Sequence, residues 1–111
     1  IYADRDTVSL LIEQYARTEV NLAAMNGSLN TVISGIKQIV HSLLKKCEEL
    51  GISTYPLKVS TGFHSFLLDP MLNALTDCAR EIKMNAPSIP LISNLTGAMV
   101  VNSPEPTYWA T

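Results

Sequence analysis

Apolar residues recur at Val8, Leu11, Ile12, Tyr15 and Ala16, the i, i+3, i+4, i+7, i+8 spacing of one helix face, and Asp4 or Asp6 is placed to cap the first turn. A second stripe runs through Ile36, Ile39, Val40, Leu43, Leu44, Cys47 and Leu50. Lys45 and Lys46 lie toward its C-terminal end, where the helix dipole favours cations, and Gly51 follows as the stop. A third begins at Asp69-Pro70, read as an N-cap carboxylate and a first-turn proline, continues through Met71, Leu72, Leu75, Ala79 and Ile82, and ends before Pro87. Three amphipathic helices are therefore predicted.

Between them the period changes. The runs Val20–Met25 and Thr31–Ser34 are apolar or β-branched and flank Asn26-Gly27-Ser28-Leu29-Asn30, so they predict a hairpin with a five-residue loop, its Gly supplying positive φ. In Ser53–Val59, Tyr55, Leu57 and Val59 alternate with Thr54, Pro56 and Lys58, which predicts a strand that Pro56 confines to an edge. Ile1-Tyr2-Ala3 reads as the end of another strand, and Ile89–Leu95 as a last one, followed by a turn at Thr96-Gly97 and a stiff connector at 103–106 that leads to Tyr108-Trp109.

The predicted order is a βαββαβ split sandwich, an α+β ferredoxin-like fold with an antiparallel sheet and two helices on one face. A further helix and strand exceed it and are expected to belong to a neighbouring layer. The expected division is 1–60 for the sandwich and 61–111 for the histidine loop, the last helix and its strand.

Composition adds limits. The 111 residues suffice for one packed core, and 47% hydrophobic with 16% charged residues describes a folded chain with more apolar surface than a small domain hides alone. A net charge of -2, spread without runs of either sign, offers no footprint for nucleic acid, and no apolar run reaches the length of a membrane span. Cys47 and Cys78 fall on separate helices with no metal-ligand spacing, so both are expected to be buried free thiols in a reducing, cytoplasmic compartment. Asn94-Leu95-Thr96 has the form of a glycosylation acceptor, but no disulfide framework accompanies it.

Candidate chemistry gathers in one stretch, Gly62-Phe63-His64-Ser65, between a strand and a helix start. A side chain that titrates near neutrality on a short loop can move protons, although a lone histidine is more often structural. His41 is expected on the solvated face of its helix. Ser65 is expected to bond locally, since it has no nucleophile elbow around it.

Gly62-Phe63-His64-Ser65, Leu68-Asp69-Pro70-Met71, the run from Asn85 to Gly97 and Tyr108-Trp109 together resemble the acyltransferase domain of modular polyketide synthases, kin to the malonyl-CoA:acyl-carrier-protein transacylase of fatty-acid synthesis. Ala24-Met25-Asn26-Gly27 and Val32-Ile33-Ser34-Gly35 resemble the family's hairpin. The resemblance implies a small ferredoxin-like subdomain set into a larger α/β-hydrolase-like one that carries a serine in a G-H-S-x-G elbow. It implies that His64 is general base toward that serine and that Phe63 selects malonyl units. Gly62 beside them is expected at the substrate, and Asn26 either orients a substrate or shapes the hairpin turn.

It further implies acyl-CoA as donor, the phosphopantetheine arm of an acyl carrier protein as acceptor, and no bound metal or cofactor. Gly62 stands where the family usually has Ala, Phe66 where it has Pro, and Ser28 where a hairpin Pro is common. No G-x-S-x-G occurs in these residues, so this chain alone is expected to be inactive. The alternative from the residues alone is a self-standing ferredoxin-like interaction module in which His64 is structural.

Overall fold

The computed structural model describes residues 1–110, which form two units, 1–69 and 70–110. In the first, α1 spans Arg5–Tyr15, β1 Val20–Gly27, β2 Asn30–Gly35 and α2 Lys37–Glu49. Asp4 caps α1: its carboxylate accepts the Thr7 N–H at 2.8 Å and the Thr7 hydroxyl at 3.0 Å. The bond from the Thr7 backbone holds that carboxyl below its usual range. A depressed carboxyl contributes stability that is present above its unfolded pKa and lost as pH falls through the folded value. Gly51, at φ 73°, ends α2 as the glycine stop predicts.

Both helices bury most of their stripes in one core of Ala3, Val8, Leu11, Ile12, Ala16, Val20, Leu43 and Cys47, with Ile39, Val40, Leu22 and Ile33 packed against it; Tyr15 and Leu50, at the helix ends, stay exposed. Strands β1 and β2 are the regular ladder, antiparallel from Val20↔Gly35 to Gly27↔Asn30. The order continues beyond them through single bonds. Thr31 N–H donates to the Ile1 carbonyl at 3.0 Å and Tyr2 N–H to the Ser53 carbonyl at 2.9 Å. The Thr31 hydroxyl, fully buried, donates to the Ala3 carbonyl. Extended segments thus lie in the order β1, β2, 1–3, 53, which is the ferredoxin-like arrangement in an α+β fold.

Several local expectations are corrected. Residues 54–59 form no strand: Pro56 has no N–H to give, and the short segment Ile1–Ala3 beside them presents few backbone groups, so Tyr55, Leu57 and Val59 stay exposed. The hairpin turns on two residues, Ser28-Leu29, instead of five, and Gly27 does not need positive φ. Register shifts at Ala23 and Asn26 supply the twist instead. Gly35 is required by close approach: a Cβ there would collide with the Glu19 carbonyl oxygen and come within 2.7 Å of the Val20 Cα.

Helix α3 (Asp69–Arg80), which opens the second unit from Pro70 on, buries only Ala79 fully, and Met71 is exposed. Asp69 is itself helical (φ -51°, ψ -40°) because a 3-10 turn at Phe66–Leu68 runs into the helix, so it is not the cap. Cys78 is exposed, contrary to the expectation of two buried thiols, because it lies off the side of α3 that buries Ala79. Ile89–Leu95 makes one antiparallel bridge, Ile92↔Met99, in place of a strand. Pro90 lacks a donor, and the buried Ser93 hydroxyl accepts from the N–H groups of Leu95 and Thr96, curling the chain into a turn that Gly97 completes at φ 69°. The Tyr108 hydroxyl also donates to Ser93 Oγ, at 2.8 Å, and its ring meets Trp109 edge-on at 5.1 Å.

The two cysteines should behave oppositely. Burial pushes the Cys47 thiol up, so it is neutral and shielded. An aromatic disulfide reagent should titrate Cys78 at once in the folded chain and Cys47 only after unfolding; simultaneous reaction of both would refute this packing.

Candidate functional site

The Asn21–Ser34 pair of the hairpin is the seat of the histidine loop. Because Val20 faces the core, its neighbour Asn21 faces outward, and its register partner is Ser34. Asn21 Oδ1 accepts the Phe66 N–H at 3.0 Å. Ser34 Oγ lies beneath Gly62, 3.5 Å from where a Cβ would stand. The loop is also tied within itself: the Ser65 hydroxyl donates to the Gly62 carbonyl at 2.6 Å, and Leu68 N–H donates to the Ser65 carbonyl at 3.0 Å. Ser65 is 8% exposed and fully engaged, as local bonding predicts.

Side chains lie close to Gly62. A Cβ would stand 2.7 Å from Leu67 Cδ1 and 3.0 Å from Ser65 Oγ, so an alanine would push on the hydroxyl that closes the loop.

Anchored at Phe66 by the Asn21 bond, the chain crosses His64 in the left-handed region, φ 57°. That conformation is uncommon for a residue with a Cβ, although histidine is among the types that adopt it more readily. It persists where the surroundings over-determine it, and such places cluster at functional sites. His64 and Phe63 are both exposed, and among the described residues the imidazole has no hydrogen-bond partner. The ring is held at its backbone and free at its tip. That arrangement suits a group that takes and returns a proton.

Asn26 stands elsewhere. It is the extra residue of the second register shift, exposed at the hairpin end, five residues along β1 from Asn21, or roughly 17 Å at strand rise. The structure therefore brings Gly62, Phe63 and His64 together with Asn21 and Ser34, and leaves Asn26 apart. An open groove of about 890 Å³ borders the same strand, lined by Ile12, Glu13, Arg17, Thr18, Asn21 and Leu22 among others. Asn94 is exposed on the turn of the second unit, and His41 on α2. No cluster of three or more His, Cys, Asp or Glu residues able to hold a metal occurs among the described residues.

Comparison with known proteins agrees over almost the whole chain. No protein-family model matches it. It is 32% identical over 100 residues to the non-reducing polyketide synthase PKS16 of Cladonia grayi, covering 90% of this chain and 5% of that protein. It is 31% identical over 100 residues to a phenolphthiocerol/phthiocerol polyketide synthase of Mycobacterium tuberculosis, covering 88% of this chain and 7% of that protein. Among solved structures, the acyltransferase domain from the second module of the salinomycin polyketide synthase superposes with a TM-score of 0.84 at 37% identity, over 98% of this chain and 25% of that one.

The chain corresponds to part of a polyketide synthase acyltransferase domain.

A second acyltransferase domain, from module 8 of the same synthase, shares the fold with a TM-score of 0.87 at 23% identity. The chain spans only 5% of the first curated relatives and about a quarter of the solved acyltransferase domains. Sequence reasoning missed Asn21 and Ser34 as members of the acyltransferase segment's loop. Counting the hairpin register outward from the buried Val20 would have paired them, but nothing in the sequence says which outward pair the later loop settles on.

Proposed function

We propose that this chain supplies the general base of an acyltransferase that moves a malonyl-type unit from coenzyme A to the phosphopantetheine thiol of an acyl carrier protein. The reading rests on one observation: the segment similar to polyketide synthase acyltransferases holds His64 on a pinned loop with its imidazole unengaged. In this mechanism a serine hydroxyl outside these residues attacks the thioester carbon. His64 takes the hydroxyl proton as the C–O bond forms and returns it to the sulfur as the C–S bond breaks. The second half reaction runs in reverse, with the carrier thiol as nucleophile and the serine oxygen protonated on leaving.

Phe63, beside the base and exposed, is the wall that excludes an α-branched unit. Asn26 is retained as a substrate contact only through the family resemblance of its hairpin, and Gly62 as a neighbour of the acyl group. The metal-free chemistry needs no cofactor held by this chain, and a cytoplasmic setting with carrier-protein and larger-subdomain partners follows from the same reading. No helix among the described residues is long and apolar enough to cross a membrane. Residues 1–60 act as the small-subdomain scaffold and 61–111 as the base-bearing loop with its following helix.

The test uses the full-length protein that carries this chain. It should transfer malonyl in preference to methylmalonyl, and Phe63→Ser should narrow that preference about tenfold, the scale of one methylene in a pocket. This chain alone, weighed after incubation with malonyl-CoA, should gain no acyl mass. A stable adduct, or a full-length protein that transfers neither unit, would refute the proposal.

A further inference from the structure

We infer that Asn21 is a positioning residue for His64, acting through the Phe66 backbone; the inference rests on the reading of His64 as general base. Its elements are local. Val20 is driven into the core at 2% exposure, which fixes the pleat of β1 and turns Asn21 outward beside Ser34. The loop's other hydrogen bonds, Ser65 to Gly62 and Leu68 to Ser65, shape it but attach it to nothing beyond itself. Among the described residues, the bond from Phe66 N–H to Asn21 Oδ1 is the one hydrogen bond between 59–68 and the hairpin.

The consequence is geometric. The Phe66 anchor on Asn21 and Gly62, which lies near Ser34, stand two residues either side of His64. Between them the backbone crosses the left-handed region at His64, and that conformation sets where the imidazole projects. Removing the acceptor frees the C-terminal pin and lets the loop relax toward an ordinary φ. A displacement of about 1 Å at a proton-transfer group is enough to cost up to about a hundredfold in rate. The hairpin core does not depend on Asn21, whose side chain is outside it.

In the full-length protein, Asn21→Ala should lower kcat for malonyl transfer about tenfold or more while KM stays within about twofold, because acyl-CoA binding does not use the freed pin. Thermal stability should change little, as for a substitution on the surface away from the core. Asn21→Asp keeps the acceptor oxygen and should restore most of the rate. The deciding measurement is a double-mutant cycle: in a His64→Ala background, Asn21→Ala should reduce the residual rate no further. An unchanged kcat in Asn21→Ala, an equal loss in Asn21→Asp, or the same fold-loss in both backgrounds would overturn the inference. If His64→Ala itself left transfer intact, the base assignment would fail first; an inactive His64→Ala with a fully active Asn21→Ala would remove Asn21 alone.

Discussion

Replacing His64 with alanine in the full-length protein should lower acyl transfer by roughly 10²–10⁴-fold, the range a positioned acid–base group contributes. Two effects are mixed in that variant: the imidazole is lost, and alanine at φ 57° also prefers to leave the left-handed region. His64→Asn separates them, because asparagine tolerates that backbone but cannot serve as the base. Both variants should be comparably inactive, and His64→Asn should be the better folded of the two. Substantial transfer by His64→Asn would mean that the backbone path, and not proton transfer, is what the position supplies. Single-turnover acylation followed by mass is the direct measurement.

Gly35→Ala should destabilise the first unit by about 3 kcal/mol, at the upper end of what overpacking costs. Most glycine substitutions can be relieved by a side chain moving aside. Here the new methyl would meet backbone: the Glu19 carbonyl oxygen, the Val20 Cα at 2.7 Å and the Glu19 carbonyl carbon at 3.1 Å. The same Glu19 oxygen accepts the Ile36 N–H at 3.0 Å, so pushing it away also breaks the bond that starts the chain toward α2. The damage would spread to Val20, a core residue, and to Asn21 beside it. Thermal unfolding followed by circular dichroism should drop by roughly 10–20 °C, by the usual conversion for a small domain. A shift under about 2 °C would show that the crossing is looser than this packing implies.

Much of the fold was legible where a period repeats over many residues. The central stripes of α1 and α2, a carboxylate cap at Asp4 or Asp6, the Gly51 stop and the pairing of Val20–Met25 with Thr31–Ser34 follow from local rules, because a helix face or a strand face is decided by residues close in sequence. Elements that need a partner were read less well. Residues 54–59 and 89–95 alternate like strands, but a ladder requires backbone donors opposite, and prolines at 56 and 90 remove donors where the alternation looks best. Cys78 sits near an apolar stripe, yet whether a stripe is covered depends on what lies over it. Asp69-Pro70 has the form of a helix cap, but the Ser65–Leu68 turn had already started the coil.

At the site, the residue types of Gly62-Phe63-His64-Ser65 were enough to single out the histidine and its neighbours, because imidazole chemistry and the motif's resemblance are properties of the string itself. The sequence by itself also determined the helix faces and the outward side of the hairpin. Only the tertiary structure decided that the loop rests on Asn21 near Ser34, that Leu67 and Ser65 lie close to Gly62, and that His64 is carried in a left-handed backbone. The reason is distance along the chain. Asn21 and Phe66 are 45 residues apart, and a contact at that separation is fixed by how the hairpin and the helices close around one core.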